Sequence, residues 1–512
     1  TNGNNMNGIL INGAVAVTGD IYNNTSNENG EDGIAINLTF DNGTFDIFKD
    51  FTGDIYNNEL NGNMANGLSM ELFGDFRGNI ANNEAIGNAG HGIHAYLQFS
   101  DFYSYGGEFI GNISDNVTHD NGGSGINVFT LNKFSGNVFN NLAHNNDSTG
   151  ISVGGQEGLF GNLHHNYTDG NATSGIVVGG PVIGSVYSNV SANNGSHGIS
   201  LAAQGLVDTD IYGNVITGNT GDGINISTYG GRFPVGIGVA NFQGDIFNNV
   251  INDNGGAAIN TNIAASFIGN VSTNQVIGNG SGIIISLDTF GGVIGSQAIT
   301  GNIQNNILLN NNGVGILVSG GFYGAYAGDV SGNYVVNSAG DGIVVSGGAF
   351  FVPVSINGNI SNNVVAGSGG IGLGIYSSAE MTGNINNNTV STSGADGINI
   401  NASLITGDVS SNISIQNQGS GINLVANGDV NGSIQNNTTS NNIGSGFIFA
   451  EGVGPITFSG AFNGNTSNLN GGFGFSTDIT TLSPGGGPYS PNTAAGNALG
   501  NFNNTGAPVA NP

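Results

Sequence analysis

Cysteine and tryptophan are both absent from the 512 residues, and only four basic side chains stand against 33 acidic ones. Without cysteine there is no disulfide framework, no thiol chemistry and no Cys-based zinc site, and the redox compartment cannot be read from thiols. The four basic residues are Lys49, Arg77, Lys133 and Arg232, and the formal net charge is −29. A surface of that sign repels phosphate backbones and anionic headgroups, so nucleic acid is excluded as a partner. The acidity favours solubility and could also gather Ca²⁺. No apolar run approaches the ~20 residues of a membrane span, so membrane insertion is excluded. Thr1-Asn2-Gly3 has neither the charged nor the apolar region of a signal peptide, and the chain is expected to be a mature, processed product found outside the cell or on its surface. The scarcity of Lys and Arg removes most trypsin-type cleavage points, which suits that location.

What the chain does contain is one unit, repeated. A Gly-Asn/Asp-Ile/Val step is followed by an Asn or an Asn pair, a polar stretch, and Gly-Ile-x-Ile/Val/Leu. The unit is seen at Gly19-Asp20-Ile21 with Asn23, Asn24 and Gly33-Ile34-Ala35-Ile36, and at Gly136-Asn137-Val138 with Asn140, Asn141 and Gly150-Ile151-Ser152-Val153. It recurs at Gly383-Asn384-Ile385 and Gly407-Asp408-Val409. A period of roughly 24 to 34 residues over about 16 to 17 copies predicts a solenoid built from one supersecondary unit. Glycine is 94 of 512 residues and proline only nine, and the regular Ile and Val distinguish this composition from that of a linker.

The Gly-Ile-x-Ile step has the period-two pattern of a short strand with one buried face. Gly-Asn-Ile/Val reads as a second strand, and the Asn and Gly clusters between them supply corners in the left-handed backbone conformation. Identical positions in successive coils then stack at ~4.8 Å. Because an Asn amide both donates and accepts, stacked asparagines are expected to bond in a ladder. The predicted rungs are Asn24, Asn58, Asn83, Asn116, Asn141, Asn166, Asn189, Asn214, Asn249, Asn274, Asn306, Asn333, Asn363, Asn388, Asn412 and Asn437.

This unit resembles the repeat of right-handed parallel β-helix proteins, the fold of pectate lyases, periplasmic copper-loading proteins, and many autotransporter passengers and surface adhesins. The resemblance covers residues 7 to about 480 and implies an all-β solenoid of about 16 to 17 coils. It implies no single activity, since that fold serves enzymes, adhesins and scaffolds. The expected organisation is a β-helix over 1–482 and a Pro/Gly/Asn-rich tail over 483–512. The tail is either a linker or trimmed junction, or a segment that clasps a neighbouring subunit.

Insertions fall after the Gly-Ile-x-Ile strand, at 37–51, 97–109, 228–242, 287–298, 319–327 and 346–355. Several are aromatic: Phe45 and Phe48; Phe102, Tyr103 and Tyr105; Phe322, Tyr323 and Tyr326; Phe350 and Phe351. Such loops either bury their own rings against the helix side or present an aromatic strip to a glycan or protein. Terminal caps are not evident. The repeat starts at Ile9, Leu10 and Ile11 and decays after Phe473 and Phe475, so these residues are candidates for head-to-tail assembly.

Three groups are candidates for chemistry. Lys49, Arg77 and Lys133 lie within about four coils of one another, near Asp75 and Asp101. His119, His144 and Asp169 should stack in successive coils, each three residues after a ladder Asn. Asp20 and Asp54 share a register in adjacent coils and form a candidate Ca²⁺ site, since adjacent acids repel unless a cation bridges them. None of these makes a recognisable catalytic constellation, and no cofactor is required. The expectation is a structural protein, not an enzyme, that assembles with itself head to tail into a filament or surface layer. The alternatives are an adhesin that binds glycan or protein through its aromatic loops, and a polysaccharide-active enzyme.

Overall fold

The computed structural model describes residues 1–13, 15–38, 49–98, 107–229, 241–287, 297–321, 324–347, 353–452, 456–477, 481–482 and 492–504. Among them there is no helix; every regular element is a strand. The chain is a right-handed parallel β-helix of about 17 turns. It divides into two compact units, Thr1–Gly256 and Ala257–Pro512.

One coil of the first unit shows how the repeat folds. Phe76–Arg77 and Ile80–Ala81 are two-residue strands, Glu84–Ile86 is a three-residue strand, and Ile93–Leu97 is the long Gly-Ile strand. Each pairs in parallel with its counterpart one coil away: Phe76 with Phe109, Ile80 with Ile113, Glu84 with Val117 and Ile93 with Ile126. Sharp corners flank the three-residue strand, where Asn82 and Gly87 take φ of 54° and 64°. Asn tolerates that left-handed conformation better than most residues, which explains the Asn pairs: the first Asn turns the corner and the second is the ladder rung. Thus Asn23, Asn57 and Asn140 have φ of 53°, 55° and 56°, directly before Asn24, Asn58 and Asn141.

The glycine of the Gly-Asn-Ile step has a different cause. Gly111 has φ of 150°, and a Cβ there would meet the carbonyl oxygen of Gly78 in the adjacent coil, so the coils approach as closely as they do only because the column is glycine.

Inward side chains form columns. Ile34, Leu68, Ile93, Ile126 and Ile151 stack in one; Ile21, Ile55, Ile80, Ile113 and Val138 stack in another, all buried. A third is aromatic, Phe51, Phe76, Phe109 and Phe134, with ring centroids 5.9, 4.8 and 4.4 Å apart. The second unit repeats the plan, with Ile283, Ile316, Ile343, Leu373 and Ile398 in register.

Tyr326 does not belong to an exposed loop. It sits in the strand Ala325–Ala327, pairs with Ile299 on one side and Ile356 on the other, and is fully buried. Its inward position in a core column leaves no ring surface for docking, and desolvation pushes its hydroxyl pKa far up. The remaining predicted binding aromatics, Phe45, Phe48, Phe102, Tyr103, Tyr105, Phe322, Tyr323, Phe350 and Phe351, lie outside the described residues.

Within the stretch set apart as a tail, Thr493–Ala495 and Gly500–Asn504 are strands, paired with Thr466–Asn468 and Phe473–Thr477. Phe475 is consequently not at an edge. It is 2% exposed, packed between Phe447 and Phe502 at 5.1 and 5.4 Å, and the last described coil of the second unit carries Phe502.

Candidate functional site

The polar interior is organised as ladders with a direction. In the first unit, each predicted rung from Asn24 to Asn214 gives its side-chain Nδ2 to Oδ1 of the next, through to Asn249, at 2.9 to 3.1 Å. The second unit runs likewise from Asn274 through Asn306, Asn333, Asn363, Asn388, Asn412 and Asn437 to Asn465 and Asn492. The same oxygen also accepts the backbone N–H of the donating rung, and Nδ2 donates a second time to a carbonyl, as Asn83 does to Ile55 at 2.8 Å. Each amide thus uses both donors and both acceptor sites, which lets it be buried at little cost. Along this ladder the Asn-to-Asn donation runs toward the C-terminal coil.

A second ladder lies five residues further on. Asn4, Asn29, Asn63, Asn88, Asn121 and Asn146 lead to Asn254 in the first unit by the same bonds. The sequence reading missed it, although the five-residue spacing of Asn24 and Asn29, Asn58 and Asn63, and Asn83 and Asn88 is legible. In the second unit this ladder is interrupted. Asn311 is followed by Ser338, Ser368 and Ser393, and the Asn311 Nδ2 and the three hydroxyls are buried without hydrogen-bond partners before the ladder resumes at Asn417.

Asp20 and Asp54 belong to a third, outer ladder. Asp20 Oδ1 accepts the Asp54 N–H at 2.9 Å, and Asp54 Oδ1 accepts the Asn79 N–H at 2.7 Å and its Nδ2 at 3.0 Å. The pair is in the predicted register, and each carboxylate already accepts hydrogen bonds from the next coil.

His119 and His144 stack with ring centroids 4.5 Å apart, and His144 is in register with Asp169. His119 Nδ1 lies 2.7 Å from Asp120, whereas Asp169 accepts from Asn193 at 2.8 Å, so the partners diverge. Among the described residues, no three His, Asp or Glu side chains converge as metal ligands would. His91 and His94 form another stacked pair, 5.0 Å apart. Burial, and then the charge of His91, hold His94 down to about 4, and burial also lowers His91.

Three of the basic residues gather on one side of the first unit. Arg77 pairs with Asp75 at 2.5 Å, and Lys133 pairs with Glu108 at 3.2 Å. Ser135 Oγ donates to the same Glu108 oxygen at 2.8 Å. Asp50, Asp75 and Glu108 stack, each giving its backbone N–H to the carboxylate before it or accepting from the one after. Lys49 is buried. Burial raises the Asp75 pKa, with Asp50 adding to it and Arg77 opposing it. Asp101 lies outside the described residues.

The chain is similar to two solved structures from Azotobacter vinelandii, the A-modules of the mannuronan C-5 epimerases AlgE4 and AlgE6. The identities are 9% and 11%, and the TM-scores 0.19 and 0.18. The first match covers 89% of this chain and 91% of the epimerase module, the second 90% and 91%. No family model matches the chain, and no curated protein matches it. The expectation that the chain is not an enzyme is corrected by this finding: both matched structures are enzymes. At this level of likeness no activity is carried over to the chain.

Proposed function

We propose that this chain is an extracellular structural solenoid whose copies join head to tail. The observation that carries the reading is the directional stacking of the coils, which leaves complementary groups on the first and last described coils. Phe502 continues the column Ile422, Phe447, Phe475, yet it is 44% exposed. Ile9 occupies the same column position in the coil that pairs with Ile34, and it is half-buried where inner members of the column are fully covered. A second copy set tail to head would stack Phe502 over Ile9 and close both. The ladder polarity agrees. Asn497 has a backbone N–H that donates to nothing among the described residues, and Asn4 has an Oδ1 that accepts nothing there. Donor faces acceptor only in the tail-to-head sense, so the contact is heterologous and does not close.

Strand edges with unpaired backbone groups are templates for another strand, and here the edge coil also offers an apolar column. Leu10, at 48% exposure, lies beside Ile9 and Ile11 on that edge. The charge of −29 and the few tryptic sites support a location outside the cell. Sedimentation velocity across a concentration series tests the reading. The parent chain should shift to large species as concentration rises, and Phe502→Asp, which alters only the outermost coil, should remain small. Equal behaviour of the two would overturn it.

A further inference from the structure

The sheet face between the two Asn ladders differs sharply between the units. In the first unit it carries Glu59, Glu84, Asp115, Asp120, Asp169 and Asp253 at outward or corner positions. In the second unit nine strands stack in unbroken register, from Gln275–Ile277 to Thr493–Ala495. At the described outward and corner positions of this face, from Thr273 to Gly496, there is no charged residue. Apolar side chains point out of it, as Tyr167 and Val215 do in the first unit: Ile307, Tyr334, Val364 and Ile413 are 47, 46, 36 and 41% exposed. Inward neighbours such as Leu308, Val335 and Val365 are fully buried, so the outward residues are held on a flat, regular lattice.

We infer that this uncharged face is a lateral interface with a second copy of the chain. Two features select that occupant. The first is charge: a chain of net −29 repels its own kind, and a face free of acids is where two copies can meet without like-charge contact. The second is area. Nine strands at ~4.8 Å and a width of about five residues at ~3.3 Å give roughly 700 Å², near the ~800 Å² per partner of a standard interface. A charged or polymeric ligand would leave the Ile, Val and Tyr side chains without matching chemistry; a copy of the same face offers them their like. The contact is isologous, so a two-fold axis brings the central strand, Thr389–Ser391, against its own counterpart. It is separate from the head-to-tail edge, which uses Phe502 and Ile9.

The two contacts separate cleanly in the Phe502→Asp background, where the tail edge is blocked. The chain has no cysteine, so Thr389→Cys introduces a single thiol. Under mild oxidation that variant should form a disulfide-linked dimer in high yield. Cysteine at Ser440, toward one end of the face, is the control and should link less in an antiparallel pair and equally in a parallel one. Adding Ile307→Asp and Val364→Asp, both at exposed positions, should abolish the Thr389→Cys dimer and leave circular dichroism unchanged. A Phe502→Asp chain that stays monomeric up to high concentration would overturn the inference. So would a Thr389→Cys dimer that forms undiminished in the presence of both aspartates.

Discussion

Asn58 gives both its backbone N–H and its side-chain Nδ2 to a single oxygen, Oδ1 of Asn83, at 3.1 and 2.9 Å. Asn83 in turn donates to Asn116 and to the Ile55 carbonyl. Replacing Asn83 with Ala therefore orphans two donors and one acceptor in a buried position. The expected loss is on the order of 2–4 kcal/mol. In a solenoid such a loss is felt first by neighbouring coils. Hydrogen exchange should show it as faster exchange of the amides around Asn58 and Asn116, with distant coils unchanged.

The gap in the second ladder makes an opposite prediction. Asn311 has a buried Nδ2 with no partner, and Ser338, Ser368 and Ser393 have unpaired hydroxyls. The triple variant Ser338→Asn, Ser368→Asn and Ser393→Asn should restore the ladder as far as Asn417. Each rung is worth about 1 kcal/mol when its bonds are made. The coil that holds Ile216 with Asn219 shows that a bulky inward neighbour leaves room for the amide. Thermal unfolding should move upward; a downward shift would mean that Val335, Val365 and Val390 crowd the new side chains.

His94 predicts the acid limb of stability. Its folded pKa of about 4 lies below the ordinary 6.5, so the folded state holds the neutral ring while the unfolded chain takes up a proton. This contribution is fully present above pH 6.5, is lost as pH falls toward 4, and levels off below. The size is on the order of 1–3 kcal/mol. His91, also lowered, acts in the same sense. Denaturant midpoints between pH 7 and 4 should fall less steeply in a His94→Asn variant than in the parent.

Tyr326 separates packing from docking. Its ring is buried and, among the described residues, its hydroxyl donates only a long hydrogen bond of 3.4 Å to the Gly301 carbonyl. Tyr326→Phe should be close to neutral, whereas Tyr326→Ala should cost roughly 3–5 kcal/mol through the cavity it leaves. Equilibrium unfolding of the two variants checks this.

Much of this was legible in the sequence because the repeat places identical chemistry at identical registers. The Asn pairs announced both the corner and the rung, and Gly-Ile-x-Ile announced the long strand. The second ladder was harder to see, since its asparagines sit among other Asn and Gly residues and three coils replace them with Ser. Tyr326 was misread because it follows the Gly-rich stretch Gly320, Gly321, Gly324 and two other aromatics, which look like one loop; the strand resumes at Ala325. Phe475 looked terminal because a Pro- and Gly-rich stretch follows it. Asn492 and Asn497, five residues apart, were the sign that another coil comes after. What could not be read was which faces lack charge, because outward positions become neighbours only once coils stack.

The central claim is that coils of one copy continue onto the next. Leu10 gives the most direct test: Ile9 gives its N–H to Gly33 of the second coil, and because backbone direction alternates along a strand the Leu10 N–H points away from that coil. Leu10→Pro removes a donor from the open edge and leaves the inner pairing intact. Electron microscopy of the parent at rising concentration should show unbranched filaments, and of Leu10→Pro short particles only. Filaments of equal length from both, or single particles from the parent at every concentration, would contradict the account.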